Sequence, residues 1–161
     1  MSNWASLDVG ARLVGFSSEV EGCEAENVLN PRLSQLWLSQ GASPQWLCIS
    51  LGQLSAGNVC IRTIGWHCWH PYSTNPMNVT IHISGDGSKF KVWDTFHAVK
   101  AKGTQLFCCA PISSAIYPFI ALEVVETFGG MQTYMNRIYM FSDEIASSSL
   151  TGLPDLENLS P

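Results

Sequence analysis

The fold is decided by the stretch Asn78-Val79-Thr80-Ile81-His82-Ile83-Ser84-Gly85-Asp86-Gly87-Ser88-Lys89-Phe90-Lys91-Val92-Trp93. Apolar and polar residues alternate over 79–84 and again over 89–93, which is the period of a β-strand with one buried face. The Gly-Asp-Gly-Ser segment between them suits a tight turn, and the turn explains Asp86 without a bound cation. The sequence therefore predicts a β-hairpin over residues 78–93.

Strand patterns also occupy most of the remaining chain, and helix signals are scarce. Further strands are predicted over Arg12–Ser17, Trp46–Leu51, Val59–His67, Thr104–Cys109, Tyr117–Val125 and Arg137–Ser142. A short helix is predicted over Cys23–Asn30, ended by Pro31. About eight strands with little helix predict an all-β fold, an antiparallel β-sandwich jelly roll. Residues 1–146 are predicted to form a single domain, and residues 147–161 are expected to be a flexible C-terminal tail. Trp37 and Trp46 are expected in the core of the domain.

Composition excludes several classes of protein. Only 13% of the 161 residues are charged, about half of the roughly 25% that is usual. This value excludes a disordered chain and a coiled coil. A net charge of -5 has the wrong sign for a nucleic-acid backbone, so no nucleic-acid partner is expected.

The cysteines and the N-terminus predict an intracellular protein. The first residues show neither a basic leader nor an apolar signal segment, and no apolar run approaches the roughly 20 residues of a membrane helix. No membrane partner is therefore expected. Free thiols are predicted for all six cysteines, several of them buried: Cys23, Cys48, Cys60, Cys68, Cys108 and Cys109.

Motifs for catalysis are missing from the sequence. There is no nucleophile elbow, Walker A loop or dinucleotide-binding glycine pattern, so no enzyme and no cofactor are expected. His67, Cys68 and His70 could ligate a metal, but paired ligands at a second position with zinc spacing are missing. A strand that ends in an aromatic loop is the favoured interpretation, and no metal is predicted.

Three loops combine aromatic or arginine side chains with amides and hydroxyls, a mixture enriched where proteins hold partners. They cover 26–46, 70–76 and 127–137. The predicted partner-binding residues are Trp37, Ser39, His70, Tyr72, Gly130, Gln132, Thr133, Tyr134 and Arg137. For Trp37, a role as core anchor is the favoured alternative. Tyr134→Ala and Arg137→Ala are expected to weaken partner capture with little change in melting temperature.

The same loops carry a resemblance to a known superfamily. Glu26-Asn27-Val28-Leu29-Asn30, then Trp37-Leu38-Ser39-Gln40-Gly41 and Pro44-Gln45-Trp46, resemble the early motif of galactose-binding-domain-like, or discoidin-type, jelly rolls. The resemblance covers residues 9–143 and implies that fold. Relatives that bind calcium use an aspartate where this chain has Asn30, so the resemblance implies no calcium here.

Within the superfamily the chain is most similar to Doc-type domains of the anaphase-promoting complex, because Gly130, Thr133, Met135 and Ile138 fit their late loop. The chain departs from that loop at Gln132 and Tyr134, and from the usual Ile-Arg end. The resemblance implies a non-catalytic protein-recognition subunit of a ubiquitin-ligase-like assembly, with other protein subunits as partners and a peptide at the loop end.

Two alternatives stay open beside the Doc-type interpretation. Subunits of ciliary or microtubule-associated transport complexes resemble the chain to a similar degree. A carbohydrate-binding module is the third hypothesis, in which Trp69 or Tyr72 would stack on the face of a sugar.

Overall fold

A computed structural model describes residues 1–145 of the chain, and the predicted tail, 147–161, lies outside the described residues. Residues 1–145 form ten strands and two 3-10 helices. The helices cover Leu7–Val9 and Ala25–Leu29. The strands are β1 (Arg12–Phe16), β2 (Trp37–Leu38), β3 (Gln45–Ser50), β4 (Cys60–Cys68), β5 (Pro76–Ser84), β6 (Lys91–His97), β7 (Gly103–Ser113), β8 (Phe119–Thr127), β9 (Tyr134–Met135) and β10 (Arg137–Phe141).

The strands form two main antiparallel sheets. One sheet has the order β1-β3-β8-β5-β6, and the other has the order β10-β4-β7. Apolar side chains of both sheets belong to one core cluster, which makes the domain a two-layer sandwich. The prediction of an all-β, antiparallel jelly roll is confirmed.

Alternation along the central strands sets the core. In the five-stranded sheet, Leu47 of β3 pairs with Leu122 of β8, which pairs with Ile81 of β5. All three side chains are fully buried. Burial of each such side chain contributes about 1.5–3 kcal/mol to folding. The residues that alternate with these along each strand point to the outer face of the sheet, because side chains of a strand alternate with a period of two.

The predicted hairpin is confirmed, with different limits. Its strands are β5 and β6, and the turn between them is held by Asp86, whose carboxylate accepts the backbone N–H of Ser88 at 2.8 Å and of Lys89 at 2.9 Å. Both hydrogen bonds lower the pKa of Asp86, and the one from Lys89 has the larger effect. The second strand begins two residues later than predicted, because the backbone N–H of Lys89 donates to the turn residue Asp86. It continues to His97, beyond the register shift opposite Ile81 and His82 that interrupts the alternation.

Two other sequence predictions are corrected. The helix expected over Cys23–Asn30 is a shorter 3-10 helix. Trp37 is fully buried as expected, but Trp46 is 42% exposed and lies on the outer face of β3. Since Leu47 and Ile49 point inward, alternation directs Trp46 outward.

All six cysteines are free, which confirms the thiol prediction. Cys48, Cys68 and Cys109 are buried, whereas Cys108 is exposed. Burial raises the pKa of Cys48 to about 11 and the pKa of Cys68 and Cys109 to about 12. These three groups are therefore neutral thiols at physiological pH.

Alkylation of the native protein is expected to modify Cys108 well before Cys48, Cys68 and Cys109. Iodoacetamide attacks the thiolate, and a raised pKa lowers the thiolate fraction at a pH of about 8. A labelling time course followed by mass spectrometry measures the order. Modification of all four at one rate in the native protein would contradict the burial, and denatured protein is the control.

Candidate ligand-binding surface at the loop end

The first and third predicted loops meet at one end of the sandwich. Their contact is the ribbon of β2 and β9, in which Trp37 pairs with Met135. The ribbon continues past the strands, since Ser39 N–H donates to the Thr133 carbonyl at 2.9 Å and Thr133 N–H donates to Ser39 Oγ at 2.7 Å. The Gln132 side-chain amide donates to the Ser39 carbonyl at 2.9 Å. Two segments more than 90 residues apart are thus fixed to each other.

The second loop lies against the third. Gly130 N–H donates to the Ser73 carbonyl at 3.0 Å, and Tyr134 N–H donates to the Thr74 carbonyl at 3.1 Å. A Cβ on Gly130 would lie 2.8 Å from the backbone of Thr74. Gly130 therefore permits a close approach of two backbones, a structural role that only glycine fills.

Below the loops lies a buried hydrogen-bond network centred on Asn136. Its amide donates to the carbonyls of Leu33 at 2.9 Å and Gln35 at 3.2 Å. Its Oδ1 accepts the backbone N–H of Trp69 at 3.2 Å and the hydroxyl of Tyr134. The Tyr134 oxygen also accepts the Trp69 N–H at 2.9 Å. Sequence reasoning missed Asn136, because a single amide between two short strands carries no pattern.

Five of the predicted partner-binding residues are buried. They are Trp37, Ser39, Thr133, Tyr134 and Arg137. Their exposed fractions, at most 4%, leave almost no surface for a partner. Their backbone and side-chain hydrogen bonds hold the loops in place instead. Burial thus favours the core-anchor alternative for Trp37.

Arg137 is almost fully buried, and its guanidinium contacts other parts of the protein. Its Nη1 donates to the Pro31 carbonyl at 2.5 Å, and its guanidinium lies 5.4 Å from the centre of the Tyr139 ring. Burial lowers its pKa. The expected contact between a partner and this positive charge is therefore corrected to an internal contact.

The other predicted residues lie at or near the surface. His70 and Tyr72 are exposed, and Gly130 and Gln132 are half-buried. Trp69 is 41% exposed and Met131 is 80% exposed. We call the group Trp69, His70, Tyr72, Met131 and Gln132 the loop-end surface.

The aromatic side chains of the loop-end surface are fixed from below. Tyr72 contacts the buried Tyr134 edge to face, with ring centres 5.3 Å apart, and His70 contacts Tyr72 at 5.4 Å. The Trp69 indole donates to the Leu33 carbonyl at 2.9 Å. Burial raises the pKa of Tyr134 beyond the ordinary range of a tyrosine, so its hydroxyl stays protonated and keeps its bond to Asn136.

This arrangement suits an uncharged ligand with one apolar face. The loop-end surface carries no carboxylate, lysine or arginine. Aromatic rings offer an apolar face with a polar tip, and Gln132 and His70 add hydrogen-bonding groups. Within residues 1–145 no three His, Cys, Asp or Glu side chains cluster in a way that could hold a metal ion. In the same part of the chain, no helix has the length and apolar character needed to span a bilayer.

No protein-family model matches the chain. No curated protein matches it either. Several solved structures, in contrast, are similar to the chain. CpGH89CBM32-5 from Clostridium perfringens, in complex with GalNAc-β-1,3-galactose, is 16% identical and has a TM-score of 0.68; the match covers 87% of this chain and 99% of that one.

Two more of the similar structures are family 32 carbohydrate-binding modules. The module of NanJ from Clostridium perfringens, in complex with galactose, is 13% identical with a TM-score of 0.66, over 81% of this chain and 92% of that one. The module of EndoD from Streptococcus pneumoniae is 16% identical with a TM-score of 0.68, and the match covers 88% of this chain and 100% of that one. The chain has a galactose-binding-domain-like jelly-roll fold, as its sequence motifs predicted.

The predicted function needs correction. The narrower resemblance to Doc-type domains is not confirmed, and the comparisons contradict a protein-recognition subunit of a ubiquitin-ligase-like assembly. The finding that overturns it is that these similar structures are carbohydrate-binding modules. Neither protein subunits as partners nor a place in a ciliary assembly receives support. The hypothesis that the comparisons favour is the third one, carbohydrate binding.

Proposed function

We propose that the chain is a non-catalytic carbohydrate-binding module and that its loop-end surface binds a sugar. The observation that carries the proposal is the pair of exposed aromatic side chains, Trp69 and Tyr72, held at the loop end by buried contacts. A pyranose ring has an apolar C–H face and hydroxyls at its rim. The aromatic rings match that face, and the neighbouring amide and imidazole match the hydroxyls.

Rigidity of the surface supports binding. Ordering a side chain on association costs about 0.5–1.5 kcal/mol for a rotamer-rich group. The Trp69 indole and the Tyr72 ring are already held by Leu33 and Tyr134, so less of this cost remains. Galactose and GalNAc-β-1,3-galactose, the ligands named for two similar structures, define the first probes.

Replacement of Tyr72 by alanine is expected to weaken sugar binding about tenfold or more, because the ring supplies a central apolar contact. The purified chain is screened on a glycan array, and the affinity for the best glycan is measured by calorimetry. Tyr72→Phe keeps the ring and is expected to keep most of the affinity. Since Tyr72 is 46% exposed, Tyr72→Ala is expected to leave the melting temperature nearly unchanged.

The control substitution is Val99→Ala, at a residue that is 65% exposed and outside the loop-end surface. It is expected to change neither affinity nor stability. If the wild-type chain binds no glycan, or if Tyr72→Ala binds the glycan as tightly as Val99→Ala, the proposal is wrong.

We also infer an intracellular location. Six free thiols, one of them exposed at Cys108, suit a reducing compartment. Fractionation of cells that produce the chain, with a thiol count on the recovered protein, tests this inference. Recovery of disulfide-linked protein from the medium would contradict it.

A further inference from the structure

A concave site lies on the outer face of the five-stranded sheet and shares no lining residue with the loop-end surface. It is a cavity of about 290 Å³, close to the lower size of small-molecule pockets. We call it the sheet-face pocket. Its lining consists of Trp46, Cys48, His82, Phe90, Ala121 and Glu123.

Strand register creates the pocket. Small residues occupy one row across the sheet, where Gly15 of β1 pairs with Cys48 of β3 and Cys48 pairs with Ala121 of β8. The Trp46 side chain lies beside this row, and a Cβ on Gly15 would lie 3.1 Å from the Trp46 ring. The row of small side chains therefore forms a floor, and the indole forms one wall.

The walls are aromatic and partly open to solvent. Trp46 is 42% exposed and Phe90 is 40% exposed, although both are large apolar side chains. The floor adds no charge, because burial raises the pKa of Cys48 to about 11 and keeps it a neutral thiol. Two aromatic rings around an uncharged floor offer an apolar cavity whose ring faces attract cations.

One polar pair borders the pocket. His82 Nε2 lies 2.9 Å from Glu123 Oε1, and the two side chains are 24% and 34% exposed. This contact uses one of the two carboxylate oxygens, so the other can accept a hydrogen bond or face a positive charge. Glu123 is the acidic group among the lining residues, and no lysine or arginine lines the pocket.

We propose that the sheet-face pocket binds an organic cation, an alkylammonium group that sits between Trp46 and Phe90 and faces Glu123. Aromatic rings with a carboxylate are the groups that recognise such cations, by cation–π attraction and by charge. A net charge of -5 adds a general attraction for a positive ligand. A neutral sugar is less suited, because a pyranose needs several hydrogen-bonding partners and the lining offers two polar side chains.

Choline tests the proposal against its neutral carbon isostere, 3,3-dimethylbutan-1-ol, which has the same shape without the charge. Both are titrated into the full chain, and the Trp46 indole signal, assigned with Trp46→Ala, is followed by nuclear magnetic resonance. Choline is expected to shift that signal and to bind about tenfold or more tightly than the isostere.

Two carboxylate variants separate a local contact from a general charge effect. Glu123→Gln is expected to weaken choline binding about tenfold or more. Glu126→Gln removes the same charge from the same strand at an exposed residue that does not line the pocket, and it is expected to leave binding unchanged. Equal loss in both variants would overturn the proposal.

Three other results would also overturn it. If the isostere binds as tightly as choline, the pocket recognises apolar groups and not charge. If neither ligand shifts the Trp46 signal, the pocket binds neither of them. Galactose displacing choline from Trp46 would assign the pocket to a sugar. Tyr72→Ala is expected to bind choline normally, so failure of the loop-end proposal is distinguishable from failure of this one.

Discussion

Replacement of Gly65 by alanine is expected to destabilise the domain by about 3 kcal/mol or more, because the added methyl group has no space. Gly65 lies in the middle of β4, between β10 and β7. A Cβ there would lie 2.6 Å from Leu106 Cδ2 and 2.9 Å from its Cα, and closer still to the Gln105 carbonyl oxygen. Two of these three atoms are backbone, so β7 itself would have to move. Urea unfolding measures the loss.

The matched control for Gly65→Ala is Gly52→Ala. A Cβ on Gly52 would make ordinary contacts, 3.5 Å from Ser50 Oγ and 3.7 Å from Pro118 Cβ. We expect its free energy of unfolding to stay within about 0.5 kcal/mol of the wild type. A Gly65→Ala protein as stable as Gly52→Ala would show that β7 does not lie this close to β4.

The fold could be predicted because the central strands carry their own pattern. The inward residues Leu47 and Ile49 of β3 are apolar, as are Ile120, Leu122 and Val124 of β8, so these strands and their buried faces follow from the sequence. The edge strand β6 is different. Its residues are mostly exposed, and the register shift opposite Ile81 and His82 breaks the alternation, so its limits could not be derived.

The loop end could be predicted as a set of loops but not as a surface. The sequence indicated which segments carry aromatic and amide side chains, and the structure brings those segments together. Their shared ribbon, β2 with β9, is two residues long on each side and pairs residues about 100 positions apart. So short an element leaves no periodicity, and its partner cannot be identified from local propensity.

Burial of polar residues was the hardest feature to predict. Arg137 and Asn136 are usually surface residues by type, yet both are buried because carbonyls of the 31–35 segment accept their hydrogen bonds. Those acceptors lie more than 100 residues away in sequence. A contact role for Arg137 was therefore a reasonable interpretation of its residue type, and the structure assigns the side chain to the support of the loops.

Replacement of Tyr134 by alanine is expected to destabilise the domain by about 3–5 kcal/mol, the cost of deleting a large buried aromatic ring. The sequence suggested instead that Tyr134→Ala would weaken ligand capture and leave the melting temperature nearly unchanged. The structure reverses this expectation because Tyr134 is only 4% exposed and lies beneath Tyr72. Thermal and urea unfolding measure the loss.

Tyr134→Phe divides that loss into packing and hydrogen bonding. The phenylalanine ring keeps the contact with Tyr72, but the hydroxyl between Asn136 and the Trp69 N–H is lost. Trp69 N–H keeps a second acceptor, Asn136 Oδ1 at 3.2 Å, so we expect a cost of only about 1 kcal/mol. A Tyr134→Phe protein as unstable as Tyr134→Ala would mean that the hydroxyl, rather than the ring, holds the loop end. Sugar binding by Tyr134→Phe is expected to follow the wild type, because the side chains of the loop-end surface keep their support.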